Sequence, residues 1–155
     1  MDTIPNRTHA LFAELGEQTD PIDLISFDEE NKTWTVGFDD DSALLVEWDG
    51  VPERFMIQAL LGIAPERSTL GVYRAVLAYN ALWREHGGSR IGLADADGEL
   101  MLMVEVPAED LSLEQLQRVL LNVRAVAGIW SRYVADPRDD DPDQPTLPQA
   151  LSNLA

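Results

Sequence analysis

The 155-residue chain carries 28 acidic and 11 basic side chains, a net charge of −17, with 45% hydrophobic residues and no cysteine. That length and apolar content hold one domain with a sizeable core and exclude a broadly disordered chain. The missing cysteines exclude disulfide scaffolds, thiol catalysis and cysteine-ligated metal centres, and the surplus of carboxylates repels phosphate backbones, so no nucleic-acid partner is expected.

A first helix is expected over residues 6–17, with Asn6 as its cap, Leu11, Phe12 and Leu15 on one apolar face, and Gly16 near its end. Residues Ile22 to Phe27 read either as a strand or as an extended lead-in. Trp34, Val36 and Phe38 then alternate with smaller residues, as do Leu44, Val46 and Trp48, and Asp39-Asp40-Asp41-Ser42 makes a polar turn between them. Period two places the large side chains of such a hairpin on one sheet face. Residues Phe55 to Leu61 form a third strand after the Asp49-Gly50 turn.

The spacing predicts a long helix over residues 68–86, capped by Ser68 after Pro65 and ended by Gly87-Gly88. Leu70, Tyr73, Val76, Leu77 and Trp83 fall on one stripe; Val72, Tyr79 and Leu82 fall on another. A helix covering a sheet needs one stripe. The second calls for a further burial surface, supplied by another subunit or by complete burial within one chain. Ile91 and Leu93 lead into the turn Asp95-Ala96-Asp97-Gly98, and the returning strand, Glu99 to Val106, sets Leu100, Leu102, Val104 and Val106 on one face and Met101, Met103 and Glu105 on the other. Ser112 and Gln115 have the spacing of a capping box. The helix they start runs to about Tyr133, with Leu113, Leu116, Leu120, Val123, Ala127, Trp130 and Val134 on one face.

The expected fold is therefore α+β: helix, three strands, helix, two or three strands, helix, with an antiparallel sheet packed on helices. Residues 1–135 form a single domain. Residues 136–155 are a Pro-rich tail with five acids and one base, read as a solvated, mobile segment or alternatively as an acidic interaction arm. The acid is uneven: residues 1–54 carry 14 acidic and 3 basic side chains, a net of −11.

Signs of chemistry are few. Asp95-x-Asp97-Gly98 is a hairpin turn before it is a calcium loop, because a strand follows where further oxygen ligands would be needed. Adjacent acids at Asp39 to Asp41 point different ways. His9 and His86 sit on different helices, and neither lies in a nucleophile, phosphate-loop or dinucleotide motif. No enzyme activity, cofactor or metal is expected. Residues Met1 to Pro5 lack the start of a signal peptide, and no apolar run reaches the roughly 18 residues of a membrane span, so a soluble cytoplasmic protein without membrane insertion is expected. What remains are surfaces. Met56, Met101 and Met103 leave an adaptable apolar face for a partner, unless a helix or second subunit covers it.

The stretch Gly92-Leu93-Ala94-Asp95-Ala96-Asp97-Gly98-Glu99-Leu100-Met101-Leu102, followed by Val104-Glu105-Val106-Pro107 and the helix from Leu111 to Trp130, resembles the class I chaperones of bacterial type III secretion, the family of the Tir chaperone. The resemblance covers residues 6–134. It implies a homodimer that binds the N-terminal segment of a secreted effector in extended form, keeps it soluble and export-competent, and presents it to the secretion ATPase without catalysing a reaction. By analogy the effector contacts fall on Leu11, Phe12 and Leu15 of the first helix and on Val36, Phe38 and Leu45 of the sheet. The dimer interface falls on the second helix and its following strand, at Val72, Tyr79, Leu82, Met101 and Met103. The alternative is a non-catalytic regulatory or immunity-type binding protein on the same scaffold.

Overall fold

The computed structural model describes residues 3–137. Its elements run α1 (Asn6–Gln18), β1 (Ile22–Asp28), β2 (Thr33–Phe38), β3 (Ala43–Gly50), β4 (Glu53–Ile63), a single 3-10 turn (Glu66–Ser68), α2 (Thr69–Ala81), β5 (Arg90–Leu93), β6 (Glu99–Pro107) and α3 (Leu113–Ala135). The strands form one six-stranded antiparallel sheet in the order β1-β2-β3-β4-β6-β5. The α+β architecture expected from the sequence is present, with Ile22 to Phe27 resolved as a fourth strand before α2. Of the tail expected over residues 136–155, all but Asp136 and Pro137 lies outside the described residues. Two compact units divide the chain: residues 1–58 with 105–124, and residues 59–104 with those from 125 onward.

In the first unit, alternation governs the core. Phe27 pairs with Trp34 and Ile25 with Val36 across β1–β2; Trp34 pairs with Val46 across β2–β3; Trp48 pairs with Phe55 across β3–β4. The inward members Trp34, Val36, Phe38, Leu44, Val46, Trp48, Phe55 and Ile57 are all buried. Helix α1 lies on this face, with the Phe12 ring stacked on Trp34 at 4.3 Å and 8°. Each such side chain contributes about 1.5–3 kcal/mol by leaving water. Asn6 is the first helical residue rather than the cap: Pro5, fixed in the extended region, precedes it and no side-chain cap bond forms. At α3 the capping box closes as expected. Ser112 N–H donates to Gln115 Oε1 at 2.9 Å, and Gln115 N–H donates to Ser112 Oγ at 3.2 Å. The β2–β3 turn is tied to α3 by Arg124, which reaches Asp39 at 2.9 Å and Asp40 at 2.8 Å while lying over the Phe38 ring.

In the second unit, α2 buries Val72, Val76 and Tyr79. The Tyr79 ring meets Trp130 edge-on at 5.2 Å and stacks on His86 at 4.3 Å, and its hydroxyl bonds the Ser89 hydroxyl. Asn80 secures β5 to α2, donating to the Ile91 carbonyl and accepting from the Ile91 N–H. The helix ends at Ala81, not at residue 86. Past that point Leu82 N–H bonds the Tyr79 carbonyl in a tighter turn, and Gly87 and Gly88 take φ of 63° and 84°, left-handed values that suit glycine. Ser68 is buried in the 3-10 turn and caps nothing with its side chain. Across β5–β6, Ile91 pairs with Leu102 and Leu93 with Leu100. The Asp95 carboxylate accepts the N–H groups of Asp97 and Glu99, so it serves the turn.

Candidate functional site

β1 is an edge strand: β2 pairs with one side, and no described strand pairs with the other. Its free N–H and C=O groups are a template for another extended chain. Between this strand and α1 opens a groove of about 440 Å³. Helix α1 contributes His9, Phe12, Ala13, Gly16 and Glu17; β1 contributes Ile22 to Ile25 and Phe27; Trp34 lies at the base. Helix and strand approach closely at Gly16, where a Cβ would stand 3.2 Å from the Ile25 side chain. His9 meets the Phe27 ring edge-on at 4.9 Å and tilts over Trp34 at 5.4 Å. Phe27 and Ile25 are half-buried, and Ala13, Glu17 and Asp23 are exposed. The groove thus has an aromatic floor, a carboxylate on each wall, and an unpaired backbone edge alongside. It suits an extended peptide with an apolar anchor and a basic neighbour.

The residues expected to contact a partner divide sharply. Phe12, Leu15, Val36 and Phe38 are at most 3% exposed. These four are core side chains, because a helix laid on a sheet buries its strongest apolar positions and the strands' inward faces with them. Of the four, Phe12 reaches the groove as part of its floor. Leu11 is half-buried beside a second hollow of about 270 Å³, lined also by Arg7, Thr8, Phe55 and the loop residues Ala108, Asp110 and Leu111. Leu45 is exposed, on the face of the sheet opposite the helices, across from Thr35. The structure does not bring Leu11 and Leu45 into one site. His9, Ala13, Ile25 and Phe27 were not foreseen. Their signal was the run Ile22-Asp23-Leu24-Ile25-Ser26-Phe27, an edge strand beside a helix whose facing positions are small.

A second surface lies on α2, with its faces reversed from expectation. Val72 and Tyr79, anticipated at an intersubunit contact, are 0% and 1% exposed and pack within their own chain. The outward face carries Leu70 and Leu77, 64% and 68% exposed, and Trp83 follows in the next turn. The guanidinium groups of Arg84 and Arg90 lie over the Trp83 ring at 4.9 and 5.2 Å. Leu82, Met101 and Met103 are half-buried.

The titrating groups are structural. Asp40 lies well below the ordinary carboxylate range because Ser42 donates to it and Arg124 stands beside it. Burial pushes His86 below the usual histidine value, and neither of its ring nitrogens has a hydrogen-bond partner among the described residues. Among those residues no group of three or more His, Asp or Glu side chains could hold a metal ion. No described helix is long and apolar enough to cross a membrane.

The sequence model of the Tir chaperone protein (CesT) family matches residues 10–131. Comparison with curated proteins gives no match. Among solved structures, a chain of the ExsC-ExsE complex superposes with a TM-score of 0.70 at 21% identity, covering 85% of this chain and 96% of its own. A chain of the HopA1-SchA chaperone-effector complex gives 0.61 at 18%, covering 83% of this chain and 99% of its own. The heterodimeric ExoU-SpcU complex from the type III secretion system of Pseudomonas aeruginosa gives 0.53 at 18%, covering 83% and 98%. These likenesses establish a shared fold.

Proposed function

The chain belongs to the Tir chaperone protein (CesT) family, and on that premise we propose that it is a type III secretion chaperone that holds the N-terminal segment of a secreted effector in extended form. The observation that carries this reading is the open edge of β1 beside the aromatic-floored groove. An added client strand satisfies its backbone on that edge and drops an apolar side chain against Phe12, Phe27 and Trp34. Each buried anchor contributes about 1.5–3 kcal/mol, offset by the ordering of the segment. Glu17 and Asp23 favour a client with a basic residue beside the anchor, and the net −11 of residues 1–54 speeds the encounter.

The same reading makes the protein a cytoplasmic homodimer that hands its client to the secretion ATPase and catalyses no reaction itself. Leu70 and Leu77 supply the dimer contact in place of Val72 and Tyr79, since exposed apolar side chains in one file are what a second copy can bury. The test is limited proteolysis of the partner retained by the tagged full chain from the source cell's lysate. Protection of an unfolded N-terminal fragment is expected. Retention of a folded partner that survives whole contradicts the chaperone reading and favours an immunity-type or regulatory protein.

A further inference from the structure

The groove between α1 and β1 changes character along its length, within a single compact unit. At one end His9 and Phe27 meet edge-on beside Trp34, which is itself stacked on Phe12. In the middle Ile25 closes on Gly16, where even a Cβ would stand 3.2 Å from the strand's side chain. At the other end stand Glu17 and Asp23, both exposed, and neither forms an ion pair with another described residue. An aromatic site, a tight waist and two free carboxylates thus follow one another along β1.

A backbone irregularity places the acid. The register shifts between Ile22 and Leu24, which leaves Asp23 with no cross-strand partner. Ile22 is buried, Leu24 is exposed, and Asp23 lines the groove. A bulge of this kind re-aims a side chain, and a bulge and a charge on an edge strand also keep such an edge from pairing with its own kind. The strand β1 carries Asp23 and Asp28 and no basic residue, so β1 of a second copy brings carboxylates to carboxylates. A strand with a basic residue at the right level is instead favoured by the same acids.

Strand geometry fixes that level. Side chains on one face of an added strand recur every second residue, at a rise of about 3.3 Å per residue. Asp23 lies four residues before Phe27. A client residue seated against Phe27 therefore has its same-face neighbours level with Ile25 and then with Asp23. The sheet is antiparallel, and an added strand that continues the pattern meets Phe27 first and Asp23 last. We propose that Asp23, with Glu17 across the groove, is the selectivity filter of the β1 edge. It admits an antiparallel client strand with an apolar anchor, a small residue two positions later and a lysine or arginine four positions later, and it rejects β1 of another copy. The inference rests on the groove reading above and adds to it the spacing of the client's residues. The contact of Ile25 with Gly16 sets the small middle position, and Asp23 sets the charge of the third.

The experiment is selection of a phage-displayed library of random dodecapeptides on the immobilised full chain, repeated on Asp23→Lys and on Phe27→Asp. Ala13→Arg, at an exposed position, serves as the groove variant if Phe27→Asp unfolds. Peptides enriched by the full chain are expected to carry a basic residue four positions after an apolar one, and those enriched by Asp23→Lys an acidic residue there. Exchanging that basic residue for glutamate in a synthetic peptide should weaken binding to the full chain about tenfold and restore it on Asp23→Lys. Peptides that need the groove yet show no preference at that position, or that bind Asp23→Lys unchanged, would overturn the filter and leave the groove reading standing. Peptides that bind the groove variant as well as the full chain, or a library without enrichment, would overturn both.

Discussion

Helices α1 and α2 are both 13 residues long and each buries three side chains, yet their outward faces differ in kind. Around α1 the exposed positions include Asn6, Arg7, His9, Glu14, Glu17 and Gln18, with small alanines where the helix borders β1. Around α2 they include Leu70, Leu77 and Arg74, with the small residues Gly71, Ala78 and Ala81. Helix α1 is finished by its own unit and leaves only a groove along one flank. Helix α2 is not: its exposed leucines have burial energy still unspent. A groove bordered by an open strand edge suits a flexible peptide, whereas an exposed apolar file on a helix suits a folded surface such as a second copy.

The contrast can be broken most forcefully at the floor of the first unit. Trp34→Ala removes the partner of both Phe12 and Phe27 and should cost about 3–5 kcal/mol in denaturant unfolding. Leu77→Arg should instead change unfolding stability by no more than about 0.5 kcal/mol, while light scattering shows dimer converted to monomer. An unchanged dimer mass would remove α2 from the interface. Ala13→Arg, on the exposed wall of the groove, should leave the melting temperature in place and weaken client binding about tenfold, or roughly 1.4 kcal/mol, in a titration of the purified client segment.

The smallest effect is a pH dependence. His86 is buried in neutral form with its folded pKa below the unfolded value, so the unfolded chain binds the extra proton. Its contribution to stability is present above the ordinary histidine value near 6.5 and is lost as pH falls below it toward the depressed folded value. His86→Phe, which retains a ring against Tyr79, should flatten that part of the stability–pH curve. An unchanged slope through that window would show that the imidazole is not responsible.

The elements whose signals are local were legible in the sequence. The β2–β3 and β5–β6 hairpins combine strict alternation with polar turns, and the Ser112–Gln115 box marks the start of α3. β1 was harder because its register shifts between Ile22 and Leu24. That irregularity leaves Ile22 buried and Leu24, two residues on, 56% exposed, so the apolar pattern loses its period. On α2 both stripes are apolar, and nothing within the helix says which one meets the core. Tertiary contacts decide it, with Tyr79 against Trp130. The groove was hidden for the opposite reason. The conspicuous residues Phe12, Leu15, Val36 and Phe38 were spent on the core, and the accessible wall is made by Ala13, Ile25 and half of Phe27.

The central claim is that the α1–β1 groove holds the client's N-terminal segment. Its most direct measurement is photo-cross-linking from position 13 of the full chain, with p-benzoylphenylalanine in place of Ala13, followed by mapping of the partner peptide attached. Attachment to a single stretch near the partner's N-terminus, abolished by Phe27→Asp, is the predicted result. Attachment to the surface of a folded partner domain, unaffected by Phe27→Asp, would contradict the claim.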